Sequence, residues 1–87
     1  MNRLVNVGFG NVVNIGKIVS IISPEAAPIK RMVQTAKDKG MAIDATCGRR
    51  TRAVIVMESG QLLLSALLPE TIAGRVNLDN AKGEENE

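Results

Sequence analysis

The chain has 87 residues and a net charge of +2 at pH 7, and it contains one Cys, one Phe and no His, Trp or Tyr. Without histidine it lacks the commonest general base, the commonest metal ligand and every imidazole-based triad, so we expect no enzyme activity, no metal site and no cofactor. A single cysteine cannot form an internal disulfide, and no apolar stretch approaches the ~18 residues of a membrane span, which favours a cytoplasmic protein.

The length predicts one domain with a thin core. A chain of this size hides only about 60 to 65% of the surface that it exposes when unfolded. Because aromatic residues are nearly absent, Val, Ile, Leu, Met and Ala must build the core, and each buries less area than an aromatic residue does. Homo-oligomerisation is therefore the expected source of further buried surface.

The first third of the chain predicts short strands separated by glycine turns. Residues 4–7 form a β-branched run that stops at the glycine-rich residues 8–11, and residues 12–13 begin a second short strand. Residues 17–22 carry the strongest strand pattern of this part. Lys17 lies at the mouth of that strand, where its long side chain can reach outward.

A helix is predicted to begin at Pro28 and to end just before Gly40. Proline suits the first helical position, and glycine suits the residue that follows a helix. Apolar residues recur between them at helical spacing, namely Ile29, Met32, Val33 and Ala36. Lys30 and Arg31 fall in the first turn, where the helix dipole disfavours cations. They either extend into water or join a phosphate-binding surface.

The second half of the chain predicts a hairpin, a strand and a short helix. Residues 41–44 and 52–57 are the predicted hairpin strands, with basic residues at the tip between them. A further strand follows at residues 61–67, and a short helix at residues 69–76 begins at Pro69. After Asn77 the sequence is polar and acidic without periodicity, so we expect residues 78–87 to form a flexible acidic tail.

Charge is segregated along the chain. Residues 1–57 hold nine Lys and Arg against three acidic residues, whereas residues 58–87 hold two against six. Such segregation predicts a surface that faces a polyanion, with an acidic tail set apart from it.

The most concentrated positive charge lies at Arg49, Arg50 and Arg52, directly after Gly48. Consecutive arginines repel one another, and the nearest acid, Asp44, can neutralise only one of them. The planar donor fork of guanidinium fits phosphate oxygens and stays charged at physiological pH, so this cluster predicts a phosphate site. The alternative is a solvated loop that keeps a small protein soluble.

Two enzyme-like patterns fail in detail. A thiolate phosphate-binding loop would need an arginine six residues after Cys47, and Ala53 stands there. Gly8 and Gly10 lack the third glycine of a dinucleotide-binding loop, because Val13 occupies its position.

With Phe9 as the only aromatic residue, stacking of single-stranded bases is disfavoured, and contact with duplex DNA through its backbone fits better.

Four stretches together resemble the RemA family of bacterial extracellular-matrix regulatory proteins, over about residues 4–75. They are residues 6–11, 20–32, 43–54 and 64–71, which include Gly8-Phe9-Gly10, Ser23-Pro24-Glu25, Cys47-Gly48-Arg49-Arg50 and Leu68-Pro69-Glu70. The resemblance implies a DNA-binding transcriptional activator of biofilm and matrix genes that is associated with the nucleoid. It also implies a closed ring of about eight subunits with double-stranded DNA wound around it.

The resemblance assigns roles to individual residues. The DNA-contacting basic pair falls on Arg49 and Arg50, and a further basic position falls on Lys17, where relatives are expected to carry arginine. Lysine there keeps the charge but loses the bidentate fork. Pro28 falls where the family needs a rigid helix entry for assembly.

We therefore predict a small α+β domain over residues 1–77, with a mostly antiparallel sheet, one main amphipathic helix and a short C-terminal helix, assembling into a ring-like homo-oligomer. Its predicted DNA-binding residues are Lys17, Lys30, Arg31, Arg49, Arg50 and Arg52. The alternative is a non-enzymatic scaffolding subunit whose arginines bind acidic proteins.

Overall fold

The computed structural model describes residues 3–85, and it describes side chains for residues 3–77. Within that range the chain forms six strands, two α-helices and a short 3₁₀ turn at Ile15–Lys17. In chain order the strands and helices are β1 (Leu4–Asn6), β2 (Val12–Asn14), β3 (Ile18–Ile22), α1 (Ala27–Asp38), β4 (Ala42–Asp44), β5 (Ala53–Met57), β6 (Leu62–Ser65) and α2 (Pro69–Glu85). This confirms a small α+β domain.

A four-stranded sheet forms the centre, in the order β3-β5-β6-β4. β5 pairs antiparallel with both β3 and β6, whereas β4 pairs parallel with β6. The sheet is therefore mixed, and two of its three pairings are antiparallel, as is the β1–β2 hairpin, which agrees with the prediction of a mostly antiparallel sheet.

The predicted hairpin of residues 41–44 and 52–57 is wrong, because β6 lies between β4 and β5. All four residues of β6 are buried, so this strand has to be covered on both faces, and a central position provides that cover. Residues 45–52 consequently cross the end of β6 instead of closing a hairpin. Two backbone hydrogen bonds hold this crossing, from Ala45 N to Leu64 O (2.9 Å) and from Arg52 N to Ser65 O (2.8 Å).

Helix α1 covers one face of the sheet. Its predicted apolar stripe packs on every second residue of the central strands, among them Val54, Leu62 and Leu64. Successive residues of a strand point to opposite faces, which is why these three lie together.

The other face is covered by the β1–β2 hairpin and by α2. Val5, Val7 and Val13 of the hairpin region meet Ile55 and Leu63 of the sheet there, and Ile72 and Val76 of α2 complete the layer. Arg75 Nη1 also donates to Asn6 O at 2.8 Å, which ties α2 to the end of β1.

The ends of α1 agree with the prediction to within one residue. The helix begins at Ala27, one residue before Pro28, and Gly40 follows it with a φ of 71°. Gly40 N donates to Lys37 O at 3.2 Å, and Met41 N donates to Ala36 O at 2.8 Å. This pair of bonds is the Schellman motif, which requires a left-handed residue and thus favours glycine.

Helix α2 runs from Pro69 to Glu85, whereas the sequence predicted a short helix over residues 69–76. The predicted tail of residues 78–87 lies beyond the described side chains, and Asn86 and Glu87 lie outside the described residues altogether. The division of the chain at residue 77 stays a prediction. Neither helix in the described part of the chain is long and apolar enough to cross a membrane.

Candidate functional site

We call residues 45–52, which connect β4 to β5, the arginine turn. Its core is a tight turn in which Arg49 N donates to Thr46 O at 3.0 Å. The two central residues, Cys47 and Gly48, have φ values of 53° and 79°. Positive φ at both central positions is typical of a type I′ turn, which brings the flanking residues close together. The prediction that Gly48 permits a tight turn is confirmed.

Asp44 holds the start of the arginine turn. Its Oδ1 accepts hydrogen bonds from the Thr46 hydroxyl at 2.6 Å and from Thr46 N at 2.9 Å. These two bonds hold the pKa of Asp44 below its ordinary value; desolvation opposes them less strongly, and the positive charge of Lys37 lowers the pKa by a still smaller amount. Asp44 therefore shapes the turn and forms no ion pair with its arginines among the described side chains.

The three arginines of the turn are exposed, and most of their charge is left unpaired. Arg50 Nη2 lies 3.8 Å from Glu25 Oε1, with the two side chains 74% and 70% exposed. A pair this long and this open contributes little to stability. Arg49 and Arg52 have no ion pair among the side chains of residues 3–77.

Two lysines of α1 face the arginine turn across a shallow cleft of about 330 Å³. Lys30 and Lys37 line this cleft together with Arg50 and Glu25. They are seven residues apart and thus lie on the same side of the helix. Arg31 is exposed but does not line the cleft, so the structure brings Lys30 to the arginines and does not bring Arg31 there.

Lys17 lies at the other end of the sheet. It directly precedes β3, and Ile18 pairs with Met57 at the end of β5, whereas the arginines directly precede the start of β5. Strand geometry separates the two ends by about 15 Å. Lys17 Nζ lies 3.8 Å from Glu58 Oε1 instead. Within one chain, Lys17 and the arginines are therefore separate patches of charge.

Pro28 is exposed in the first turn of α1, close to the same end of the sheet as the arginine turn. Ala26 precedes the helix in an extended conformation and makes no side-chain capping bond. The helix entry thus depends on the fixed φ of proline more than on a capping side chain.

Sequence reasoning missed three residues that the fold brings to the arginine turn. Lys37 could have been found from its spacing of seven from Lys30. Glu25 approaches because β3 ends beside the start of β5. Phe9, whose ring centroid lies 5.5 Å from Arg49 Cζ, comes from a turn forty residues away and carries no local signal of this contact.

Taken together, these side chains can bind a polyanion. Five cations, Lys30, Lys37, Arg49, Arg50 and Arg52, lie at one end of the domain. Among the described side chains Glu25 has the only carboxylate within 4 Å of these arginines, and Glu70 lines a neighbouring cleft with Arg50 and Arg52. Cys47 is exposed beside them, and the described residues contain no group of three His, Cys, Asp or Glu side chains that could hold a metal ion.

Comparisons with known proteins identify one family. The model of the RemA-like family, described as extracellular matrix regulatory protein A-like, matches residues 4–76. A putative regulatory protein of Lachnoclostridium phytofermentans is 73% identical over 77 residues, which cover 88% of this chain and 85% of that protein. The extracellular matrix regulatory protein A of Bacillus subtilis (strain 168) is 58% identical over 76 residues, which cover 87% of this chain and 85% of that protein.

Proposed function

The chain belongs to the RemA-like family of extracellular matrix regulatory proteins, and from this premise we propose that it is a DNA-binding transcriptional regulator of extracellular-matrix genes. In this proposal the arginine turn binds the phosphate backbone of duplex DNA, and the protein acts at the nucleoid and not as an enzyme.

One observation carries the proposal: the structure holds a tight turn with three exposed guanidinium groups, and only Arg50 has a carboxylate within 4 Å among the described side chains. Exposed charge that the fold does not neutralise is available to a partner. Arginine binds phosphate in a bidentate manner, and duplex DNA presents phosphates at regular spacing.

Lys30 and Lys37 extend the same basic surface along α1. Their ammonium groups act as mobile point charges, which suits contact with a phosphate backbone more than reading of bases. The predicted contributions of Lys17 and Arg31 need a second subunit or a bent duplex, because neither residue lines the cleft beside the arginine turn.

We further propose that the active form is a ring-like homo-oligomer. Val19 is 65% exposed on β3, a strand at one edge of the central sheet, and the exposed Val12 and Ile43 line a groove together with Met57 and Leu63. These surfaces could bury further area between subunits. An oligomer would also repeat the arginine turn, so the few cations of each subunit would act together on one continuous backbone.

The test is DNA binding by the full chain and by Arg50→Ala, measured by fluorescence anisotropy with a labelled duplex over a series of salt concentrations. For the wild type we expect the logarithm of affinity to fall linearly with the logarithm of salt concentration, at about −0.9 for each phosphate contacted. Arg50→Ala should weaken binding at least tenfold and make this slope less steep, by about one for each contacting subunit.

Lys39→Ala is the matched control, because it removes one positive charge just after α1, beside Met41 and Gly60 and away from the arginine turn. It should bind within about twofold of the wild type. Light scattering should show the same assembly for all three proteins. A wild-type slope near zero, or Arg50→Ala binding as tightly as Lys39→Ala, would contradict the proposal.

A further inference from the structure

A second turn lies beside the arginine turn and presents the only aromatic side chain of the protein. We call Gly8, Phe9 and Gly10 the phenylalanine turn; it joins β1 to β2. Phe9 is 50% exposed, and its ring lies under the guanidinium of Arg49, 5.5 Å from Cζ to the ring centroid. The fold thus places an open aromatic ring within the most positive part of the surface.

The backbone of this turn is strained at Phe9. Phe9 has a φ of 55°, between Gly8 at 112° and Gly10 at 78°. A left-handed backbone costs a residue with a side chain about 1 kcal/mol, which glycine avoids. Glycine would therefore fit this position better for the fold alone, yet the chain carries its largest side chain here.

The turn is also held tightly. Gly8 N donates to Asn6 Oδ1 at 2.7 Å, and Asn11 donates to Gly8 O from both its backbone N (3.0 Å) and its Nδ2 (2.9 Å). The buried Ser65 hydroxyl donates to Val7 O at 2.7 Å, which fastens the turn to the end of β6. Phe9 is thus projected from a rigid base, at a strain cost that its partial burial does not explain.

We propose that Phe9 is a DNA-contacting residue whose ring lies against sugars and base edges in the minor groove, next to the phosphates bound by Arg49 and Arg50. This inference rests on the proposed function and adds an apolar contact to its ionic ones. Proteins that bind the minor groove commonly insert Phe or another apolar side chain against a base step, with basic residues beside it.

The setting of Phe9 favours DNA over a protein partner. A protein surface that covers the ring would also cover Arg49, and the described surroundings supply no carboxylate to that guanidinium. In the DNA complex the same guanidinium meets phosphate, and its stacking on Phe9 limits its freedom before binding. The ring would then be a direct contact and Arg49 its ionic partner.

The experiment measures duplex binding over a salt series for five full-length proteins: wild type, Phe9→Gly, Phe9→Leu, Arg50→Ala and a matched control. Phe9→Gly removes the ring and suits a φ of 55°, so the turn should fold. It should weaken binding about tenfold at every salt concentration while the slope of log affinity against log salt stays that of the wild type, because no ionic contact is lost. Phe9→Leu should stay within about threefold of wild type, because it keeps an apolar side chain.

Leu4→Ala is the matched control, since it shortens an exposed apolar residue of the same hairpin, which pairs with Asn14 at the end away from the phenylalanine turn. It should bind as the wild type does. Light scattering on every variant should give the wild-type mass; a changed mass for Phe9→Gly would assign the ring to a subunit contact and overturn the proposal.

Two other results would also overturn it. If Phe9→Leu and Phe9→Gly are equally weak and both lower the slope, then Phe9 only positions Arg49. If Phe9→Gly binds as tightly as the wild type while Arg50→Ala binds weakly, the ring makes no contact and the DNA-binding proposal still stands. If Arg50→Ala binds normally as well, then the proposed function itself, DNA binding by the arginine turn, is wrong.

Discussion

At the scale of single residues, Thr46 shows how a buried polar group shapes an exposed site. Its side chain is 2% exposed, its hydroxyl and N–H both donate to Asp44, and its carbonyl accepts from Arg49 N. One residue therefore links the end of β4 to the first arginine. The geometry of the arginine turn depends on the carboxylate of Asp44.

Asp44→Ala should lower the free energy of unfolding by about 1–3 kcal/mol, because it leaves the buried Thr46 hydroxyl without its acceptor. Urea denaturation at neutral pH measures this loss. Asp44→Asn is the control, since its side-chain oxygen can still accept from Thr46, and it should lose less. Equal losses for the two variants would contradict the role of the hydrogen bonds and point to charge alone.

The hydrogen bonds between Asp44 and Thr46 also predict that stability depends on pH. Because the folded-state pKa of Asp44 is lowered, its contribution to stability is present at neutral pH and is lost as the pH falls from about 4 through the folded-state pKa. Unfolding measured from pH 7 to pH 3 should show a smaller fall for Asp44→Asn than for the wild type. An identical fall would assign the acid sensitivity to other carboxylates.

The sequence predicted backbone conformation correctly where the residue type itself favours that conformation. Gly40 and Gly48 were predicted to permit a helix end and a turn, and both have positive φ. The same conformation at Cys47 and Phe9 could not be predicted, because neither residue type prefers it. There the surrounding hydrogen bonds override local preference.

At the scale of elements, α1 was predictable and the sheet order was not. The proline, the apolar spacing and the final glycine of α1 are all encoded within thirteen residues. The order β3-β5-β6-β4 depends on which strand is buried on both faces, and that choice involves segments far apart in sequence. The extent of α2 was underestimated because residues 77–85 carry no apolar periodicity to predict a helix.

Pro28→Leu tests the entry of α1. It should lower the free energy of unfolding by about 1 kcal/mol, because the unfolded chain gains freedom at this position. It should also disturb assembly by loosening the helix entry beside the arginine turn. Gel filtration with light scattering measures assembly, and anisotropy measures DNA binding.

Ala27→Leu is the control for that variant, since it adds the same side chain at the neighbouring exposed position and keeps the proline. It should assemble as the wild type does. An unchanged elution volume together with unchanged DNA binding for Pro28→Leu would refute the role assigned to Pro28.

At the scale of the whole molecule, the segregation of charge gives a way to distinguish DNA binding from protein scaffolding. Residues 78–87 carry four acidic residues and one lysine, whereas the arginine turn and α1 hold the cations of the candidate site. If the protein were a scaffold that uses its arginines on the acidic segment of a neighbour, assembly would require that segment. If the protein binds DNA, the acidic side chains of this segment compete with DNA phosphates for the cations of the candidate site.

Truncation after Asn77 tells these possibilities apart. The domain should still fold, because the buried Ile72 and the packed Val76 remain. We expect the oligomer to persist and DNA affinity to stay the same or rise, since negative charge is removed. A full-length variant with Asp79, Glu84, Glu85 and Glu87 changed to their amides separates loss of charge from loss of helix. Dissociation of both proteins to monomers would favour the scaffold.

The buried Ser65 fixes how the two turns can respond to a ligand. Its hydroxyl donates to Val7 O beneath the phenylalanine turn and accepts from Leu67 N, while its carbonyl accepts from Arg52 N at the end of the arginine turn. Both turns are thereby fastened to the end of one central strand and cannot reorient independently. A bound duplex would have to conform to this rigid template, so sequences that bend easily would be selected by their own flexibility, even where no base is touched.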